Sequence, residues 1–247
     1  MKPFLILQLR PETEASDDEF QAILHRGCVY TNCRFPFAAE QSNLPDDLSL
    51  DAFSGVIVGG GPGCVSDPVD KKTKVEARIE DAVMGLIPEV PRRDFPFLGC
   101  CYGIGILGHH LGRVVSKENF SEDVGTADCS LTEAGQNDPL LQDVPQEFHA
   151  FVGHKEAVQR LPDGCTHLVS APTCPFQMIR FGENVYATQF HPEADSDGFE
   201  VRIGIYKHRG YFPPEDADKL IKMCRAADVH APEIVLRNFV RRYRSAA

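Results

Sequence analysis

The stretch Gly99-Cys100-Cys101-Tyr102-Gly103 narrows the possible folds of this chain more than any other. Phe97 and Leu98, after Pro96, read as the end of a short buried strand, and the mostly apolar run 104–111 reads as a helix. Gly-x-Cys-x-Gly at such a junction is the cysteine form of a nucleophile elbow, a sharp strand-to-helix turn that holds a reactive side chain clear of a sheet. The turn brings the backbone close to itself on both sides of the nucleophile, so a Cβ at position 99 or 103 would collide. The helix would aim its N-terminus at the sulfur, which favours thiolate over thiol. Centring the pattern on Cys100 would put Leu98 and Tyr102 at the flanks, and neither suits a strained turn. Cys101 is therefore the candidate nucleophile. Two small cysteines buried beside a sheet would leave the same local sequence.

Ninety residues later the chain reads Thr188-Gln189-Phe190-His191-Pro192-Glu193. The run 176–181 has strand length, turns at Gly182-Glu183-Asn184, and returns over 185–190 as a hairpin. His191 then sits at a strand end, because Pro192 cannot continue the ladder. Glu193 is placed to orient the imidazole and stabilise its charged form. Cys101, His191 and Glu193 thus supply a nucleophile, a base and an orienting carboxylate. A lone His-x-Glu also fits a surface turn; beside the elbow it reads as the rest of a triad.

The order of elements points to an α/β fold. Residues 4–9 form a buried run of the kind found in parallel strands. Ser16-x-x-Glu19 reads as a capping box, so a helix should begin there. Residues 29–35 and 56–58 are further strands, with Gly59 to Gly63 directly after the second. Val75, Ile79, Ala82, Val83 and Leu86 recur at helical spacing over 71–87. Beyond Gly112 short strands and turns take over, then helices. The expectation is one α/β domain over 1–247: a mostly parallel central sheet, helices on both faces, and an antiparallel extension. A helical insertion at 194–231 is expected, because Phe199, Ile203 and Tyr206, then Leu220, Ile221 and Cys224, recur at helical spacing around Pro213-Pro214. It begins beside Glu193, so it is placed at the mouth of the site; a plain cover for the sheet is the other reading.

Composition removes several classes of function. A formal net charge of −11 argues against a nucleic-acid surface. Nine scattered cysteines with no C-x-x-C pair suggest neither a disulfide framework nor a zinc site, so no metal is expected and a reducing cytoplasm is the simpler inference. The run 4–9 is too short for a signal-peptide core, and no stretch suits a membrane span.

Two glycine patterns compete for interpretation. Amides of Gly59 to Gly63 can converge on a developing oxyanion, although an ordinary turn uses the same residues, and no Gly-Lys-Ser/Thr follows to make a P-loop. Gly103-x-Gly105-x-x-Gly108, with Glu122 downstream, fits a dinucleotide fingerprint, yet it lies mid-chain and Cys100-Cys101-Tyr102 separate it from the strand end. His109 and His110 point in different directions on a helix, and His149, His167, His208 and His230 have no evident partner.

Taken together, Gly59-Gly60-Gly61-Pro62-Gly63, the elbow, Val152-Gly153-His154-Lys155-Glu156 and Gln189-Phe190-His191-Pro192-Glu193 resemble the class I (triad) glutamine amidotransferases, in the family's order over most of the chain. Leu236-Arg237-Asn238-Phe239-Val240 is similar to the family's closing helix. Within the family the chain is most similar to the glutaminase domain of GMP synthase and its free-standing relatives. The resemblance implies a flavodoxin-like α/β fold and hydrolysis of the glutamine side-chain amide through a cysteine thioester, giving glutamate and ammonia with no cofactor. It implies that the Gly61 and Tyr102 amides form the oxyanion hole. It places Gly60, Gly63, Gly105, Gly153, His154, Lys155 and Glu156 around the substrate. The family's motifs occupy the chain, so an ammonia acceptor would be bound by a separate synthetase protein. The same triad also serves a γ-glutamyl hydrolase or peptidase, and the fold also suits a non-catalytic binding protein.

This chain departs from the family at three positions. Gly105 stands where most relatives carry a glutamine that helps hold the substrate. Gly153 and Glu156 stand where the GMP synthase group usually has Ser and Asp. Restoring glutamine at position 105 is accordingly expected to tighten glutamine binding, and a γ-glutamyl substrate other than glutamine is a real alternative.

Overall fold

The computed structural model describes residues 2–36, 44, 45, 47–112 and 114–244. The chain opens with β1 (Phe4–Gln8), α1 (Thr13–Gly27), β2 (Asn32–Pro36), β3 (Gly55–Val58), α2 (Lys74–Leu86), α3 (Glu89–Arg93), β4 (Phe97–Cys100) and α4 (Tyr102–His110). It continues through β5 (Val115–Ser116), β6 (Glu122–Leu131), α5 (Glu133–Gln136), β7 (Glu147–His154), β8 (Ala157–Val158), β9 (Cys165–Ser170), β10 (Met178–Phe181) and β11 (Val185–Thr188). Helices α6 (Ser196–Tyr206), α7 (Ala217–Ala226) and α8 (Pro232–Tyr243) follow.

Among the described residues the main sheet runs β2-β1-β3-β4-β11-β10-β9-β6-β7. The first five strands pair in parallel. The last four extend the sheet antiparallel. Every residue of β1, β3, β4 and β11 is buried, as strands covered on both faces require. Side chains alternate between two cores. Phe4 and Ile6 join Ile23 of α1 and Leu236 and Phe239 of α8. Leu5 and Leu7 join Ile79 and Val83 of α2 and Ile104 and Leu107 of α4. The chain therefore has helices on both faces of a mostly parallel sheet, with the expected hairpin of β10 and β11.

Three local expectations are corrected. Helix α1 begins at Thr13, with Glu12 as its unassisted cap, so Ser16 lies inside the helix rather than at its start. The carboxylate of Glu19 does not cap Ser16, because it is taken by Arg10 and the Gly60 amide. The segment expected as strand over 29–35 starts at Asn32, since Cys28 turns left-handed (φ 54°) to close α1 and Val29 N–H donates to Leu24. Helix α2 begins at Lys74 rather than 71, where Thr73 and Glu76 form a complete capping box.

Strands β1, β3, β4 and β11 lie side by side, and all four end on the same edge of the sheet. Arg10, the Gly59–Gly63 turn, Cys101 and His191 follow those ends directly. Open α/β sheets collect their functional groups at this edge.

Candidate active site

The elbow forms because strand and helix approach too closely for side chains. A Cβ on Gly99 would lie 2.9 Å from the carbonyl carbon and oxygen of Gly103, and 2.8 Å from the Phe97 ring. Cys101 takes φ 51° and ψ −93°, a conformation that costs a non-glycine residue about 1–3 kcal/mol. The turn is held by its amide, which donates to the Thr188 carbonyl at 2.8 Å, and by its own carbonyl, which accepts from Ile104 at 3.2 Å. The two cysteines separate cleanly. Cys100 packs into the core beneath the sheet, whereas Cys101 lines two cavities. Tyr102 is the first residue of α4, so its N–H is one of the helix-start donors without an intrahelical acceptor.

The thiolate expected from the helix N-terminus does not prevail. Burial pushes the Cys101 thiol up to about 12; Arg10 and Arg202 pull the other way, and Glu193 and Glu19 add to the rise. His191 is also held below its ordinary value by burial, although Glu193 opposes this. Burial thus favours the thiol and the neutral imidazole over the ion pair.

His191 is fixed from three sides. Its amide donates to the Phe151 carbonyl at 3.0 Å, and its ring meets Phe199 edge-on with centroids 5.6 Å apart. Nδ1 lies 2.9 Å from Glu193 Oε1, so it carries the proton and leaves Nε2 as the basic nitrogen. Arg202 Nη2 donates to the same oxygen at 2.9 Å. Burial alone would raise the Glu193 carboxyl, but His191 and Arg202 together hold it well below the usual carboxylate range.

Gly60 is where these groups meet. A Cβ there would be 2.7 Å from His191 Cε1, 2.8 Å from Arg10 Nη2 and 3.6 Å from Cys101 Cβ. The Gly60 amide donates to Glu19 Oε2 at 3.2 Å, and Arg10 Nε donates to the same atom at 2.7 Å. Gly61 packs on the Tyr102 ring, and Gly63 would touch the Tyr102 hydroxyl at 2.9 Å if it carried a Cβ. Tyr102 Oη in turn donates to Glu80 at 2.7 Å.

Cys101 lies between the two cavities, which also share Gly61, Gly153 and Tyr211. The smaller, about 20 Å³, holds the residues expected around substrate: Gly63, Gly105, His154, Lys155 and Glu156, with Gln189. The other, about 40 Å³, is walled by Arg10, His191, Phe199, Arg202, Tyr206 and Phe212. Helix α6 thus borders the site, while α7 backs it through a separate apolar cluster that includes Phe199, Ile203 and Cys224.

Glu156 is tied down. It accepts from Val65 N–H at 2.8 Å, Ser66 N–H at 2.9 Å and Ser66 Oγ at 2.6 Å. A Cβ on Gly105 would lie 2.8 Å from Glu156 Oε1, so the Glu156 carboxylate occupies the space that a side chain at 105 would enter. His154 is occupied at both ring nitrogens, Nδ1 against the Glu156 carbonyl at 2.9 Å and Nε2 against Glu122 at 2.8 Å. Lys155 donates to the Arg209 carbonyl at 2.7 Å and lies 4.1 Å from the Tyr211 ring centroid.

The dinucleotide reading fails on this geometry. Gly103 and Gly108 sit inside α4 where it packs on Val58 and Val115, and Gly105 faces Glu156. Glu122 is spent on His154, Gln177 and Thr173. Sequence reasoning missed Arg10, Glu19 and Arg202. One signal for Arg202 was present: a charge on the face marked by Phe199, Ile203 and Tyr206 of a predicted helix.

A buried thiol on a strained elbow, beside an imidazole held by a carboxylate, has the parts for covalent acyl transfer. Residues 16–203 match the family model "Glutamine amidotransferase class-I", and the chain belongs to that family. It is 30% identical over 166 residues to a GMP synthase (glutamine-hydrolyzing) of Lactobacillus gasseri, covering 65% of this chain and 29% of that protein. A Neisseria meningitidis GMP synthase (glutamine-hydrolyzing) is 32% identical over 153 residues, covering 60% and 26%. The chain therefore spans less than a third of the curated relatives it matches. In fold it is similar to a glutamine amidotransferase from Thermotoga maritima, with TM-score 0.75, 18% identity and 98% of each chain covered. A glutamine amidotransferase from Methylobacillus flagellatus also has TM-score 0.75, with 18% identity over 100% of this chain and 97% of that one. Among the described residues no helix is long and apolar enough to cross a membrane.

Proposed function

We propose that this chain hydrolyses γ-glutamyl amides, glutamine being the simplest, through a thioester on Cys101. The observation that carries the reading is the meeting of Cys101 and the Glu193-held imidazole of His191 at Gly60. His191 Nε2 takes the thiol proton as Cys101 Sγ attacks the γ-carbonyl carbon. The carbonyl oxygen becomes an oxyanion, held by the Gly61 and Tyr102 amides. One such donor is typically worth about 3–4 kcal/mol. The C–N bond breaks as His191 returns the proton to the leaving nitrogen, which departs as ammonia when the substrate is glutamine. Water, deprotonated by His191, then attacks the thioester carbonyl; the C–S bond breaks, the thiol is re-protonated, and glutamate leaves. The cavity containing Glu156 and Lys155 offers both signs of charge to the zwitterionic end of the glutamyl group.

Delivery of ammonia to an acceptor on a separate synthetase protein is the amidotransferase form of this chemistry. Hydrolysis of a larger γ-glutamyl compound is the second form, and Gly105 with its matching Glu156 favours it, because the glutamine-holding side chain of most relatives is absent. The test is release of glutamate from glutamine and from γ-glutamyl peptides, with Cys101→Ala as the blank. No release from any of these by the wild-type chain refutes the proposal.

A further inference from the structure

We infer that Glu122, His154 and Cys174 form a structural zinc site, with Gln177 completing the shell, and that the ion staples the antiparallel extension of the sheet beside the catalytic strands. The inference is independent of the reaction proposed above.

The fold brings these residues together from three segments. Glu122 opens β6 and His154 ends β7, and the two are register partners across those strands. Cys174 and Gln177 lie on the segment that leads into β10. One donor atom from each of Glu122, His154 and Cys174 lies within 4.8 Å of the others, and all three residues are buried. Tetrahedral zinc, with bonds of about 2.0–2.3 Å, sets its ligands about 3.3–3.6 Å apart. Glu122 and His154, now 2.8 Å apart, would part by about half an ångström to admit it.

Hydrogen bonding accounts for Glu122 and leaves two atoms over. Its carboxylate accepts from Thr173 Oγ1 and from Gln177 Nε2 at 2.6 Å, and faces His154 Nε2 at 2.8 Å. The first atom left over is Oε1 of the fully buried Gln177 amide, which has no donor. A buried acceptor of this kind needs an explanation. Exchanging Oε1 and Nε2 would set two oxygens face to face, so the amide turns over only when a cation lies between them. The second is Cys174 Sγ, which joins Glu122 and His154 in space but takes part in none of these bonds.

The donor set selects the ion. Thiolate sulfur and imidazole nitrogen suit zinc rather than magnesium or calcium. The Glu156 carbonyl can only accept, so His154 Nδ1 carries a proton, and in the neutral ring Nε2 keeps its lone pair for a metal. Zinc deprotonates a coordinating thiol. Its two charges then balance one carboxylate and one thiolate, and the buried centre is neutral once the thiol proton and the proton between His154 and Glu122 have left. No Cys-x-x-Cys pair marks the site in the sequence. Cys174-Pro175-Phe176-Gln177 has that spacing, with an amide oxygen in place of the second sulfur. The Gln189 amide donates to the Gln177 carbonyl at 2.8 Å, which ties the staple to the segment carrying His191.

The test uses the metal-free chain carrying Cys101→Ala, so that the active-site thiol cannot compete, and adds Co²⁺ alone or Zn²⁺ alone. One equivalent of cobalt should bind with a thiolate-to-cobalt charge-transfer absorption, and zinc should displace it. With Cys174→Ser added, the absorption should vanish, and zinc affinity measured against a chromophoric chelator should fall by about 100-fold or more. If that variant does not fold, zinc-edge X-ray absorption of the Cys101→Ala protein reads the shell directly: one sulfur at about 2.3 Å, with nitrogen and oxygen ligands, is expected. No charge-transfer absorption, an absorption unchanged by Cys174→Ser, or a zinc shell without sulfur overturns the site.

Discussion

The space between Gly105 and Glu156 makes the most quantitative prediction. In Gly105→Ala the new Cβ lies 2.8 Å from Glu156 Oε1 and 3.6 Å from Val65 Cγ1, so the first contact must give. Glu156 can leave only by breaking bonds to Val65 N–H, Ser66 N–H and Ser66 Oγ. At about 1.5–3 kcal/mol for each hydrogen bond to a charged group, that costs more than the roughly 1–3 kcal/mol of an overpacked methyl. Glu156 therefore stays and the helix takes the strain. Gly105→Ala should lose about 1–3 kcal/mol, or about 2–4 °C of Tm per kcal/mol in a chain this size, and raise KM for glutamine. Glu156→Asp withdraws the carboxylate by one methylene, so the double variant should recover about 1–2 kcal/mol relative to the sum of the singles. Thermal unfolding of all four proteins, with KM measured in parallel, closes the cycle. An unchanged Tm in Gly105→Ala, or additive losses in the double variant, would refute the reasoning. The geometry also reverses the sequence-based expectation for Gly105→Gln. Alone it should raise KM, and it should tighten glutamine only together with Glu156→Asp.

Three further outcomes follow from the site. A chloroketone analogue of glutamine should label Cys101, with Cys101→Ala abolishing labelling and turnover and Cys100→Ala retaining both; mass spectrometry that finds the adduct on Cys100 contradicts the elbow assignment. His191 must be neutral to accept the thiol proton and its pKa is depressed, so kcat/KM should be full above the ordinary histidine value of about 6.5 and fall only as pH drops through the lower folded value. With the thiol near 12, no alkaline decline from Cys101 should appear below pH 10, and an acid limb above 7 would contradict the burial argument. Gly99→Ala should destabilise by about 1–3 kcal/mol or more, read by denaturant unfolding, because its Cβ meets the Gly103 backbone at 2.9 Å rather than a side chain that can swing away; a stable, fully active variant contradicts the close-approach account.

The parts legible in the sequence are those written in local patterns. Buried runs gave the parallel strands, Gly182-Glu183-Asn184 gave the hairpin, and the spacing of Phe199, Ile203 and Tyr206 gave α6. Other features depend on partners that only the fold brings near. Ser16-x-x-Glu19 has the form of a capping box, but Glu19 answers to a buried guanidinium at Arg10 and an amide at Gly60, so the helix starts three residues earlier. The true box at Thr73 and Glu76 is also present in the sequence, inside the run 71–87 marked by helical spacing. Gly105 and Glu156 read as two separate departures from a family pattern, although across space Glu156 Oε1 occupies the room a side chain at 105 would enter. The ionisation of Cys101 depends on the fold in the same way. A helix N-terminus is visible in sequence; the surrounding burial that outweighs it is not.

That burial has a consequence for the life of the protein between turnovers. Burial keeps Cys101 as the thiol near neutral pH, and oxidants and simple alkylating agents attack the thiolate. The Cys101 thiol is therefore kept in its unreactive form, shielded from the chemistry that consumes exposed low-pKa cysteines. In the proposed reaction its sulfur becomes reactive when an electrophilic carbonyl is held beside it and His191 accepts the proton in the same event. Selectivity of this kind lies in the timing of a proton rather than in the shape of a pocket.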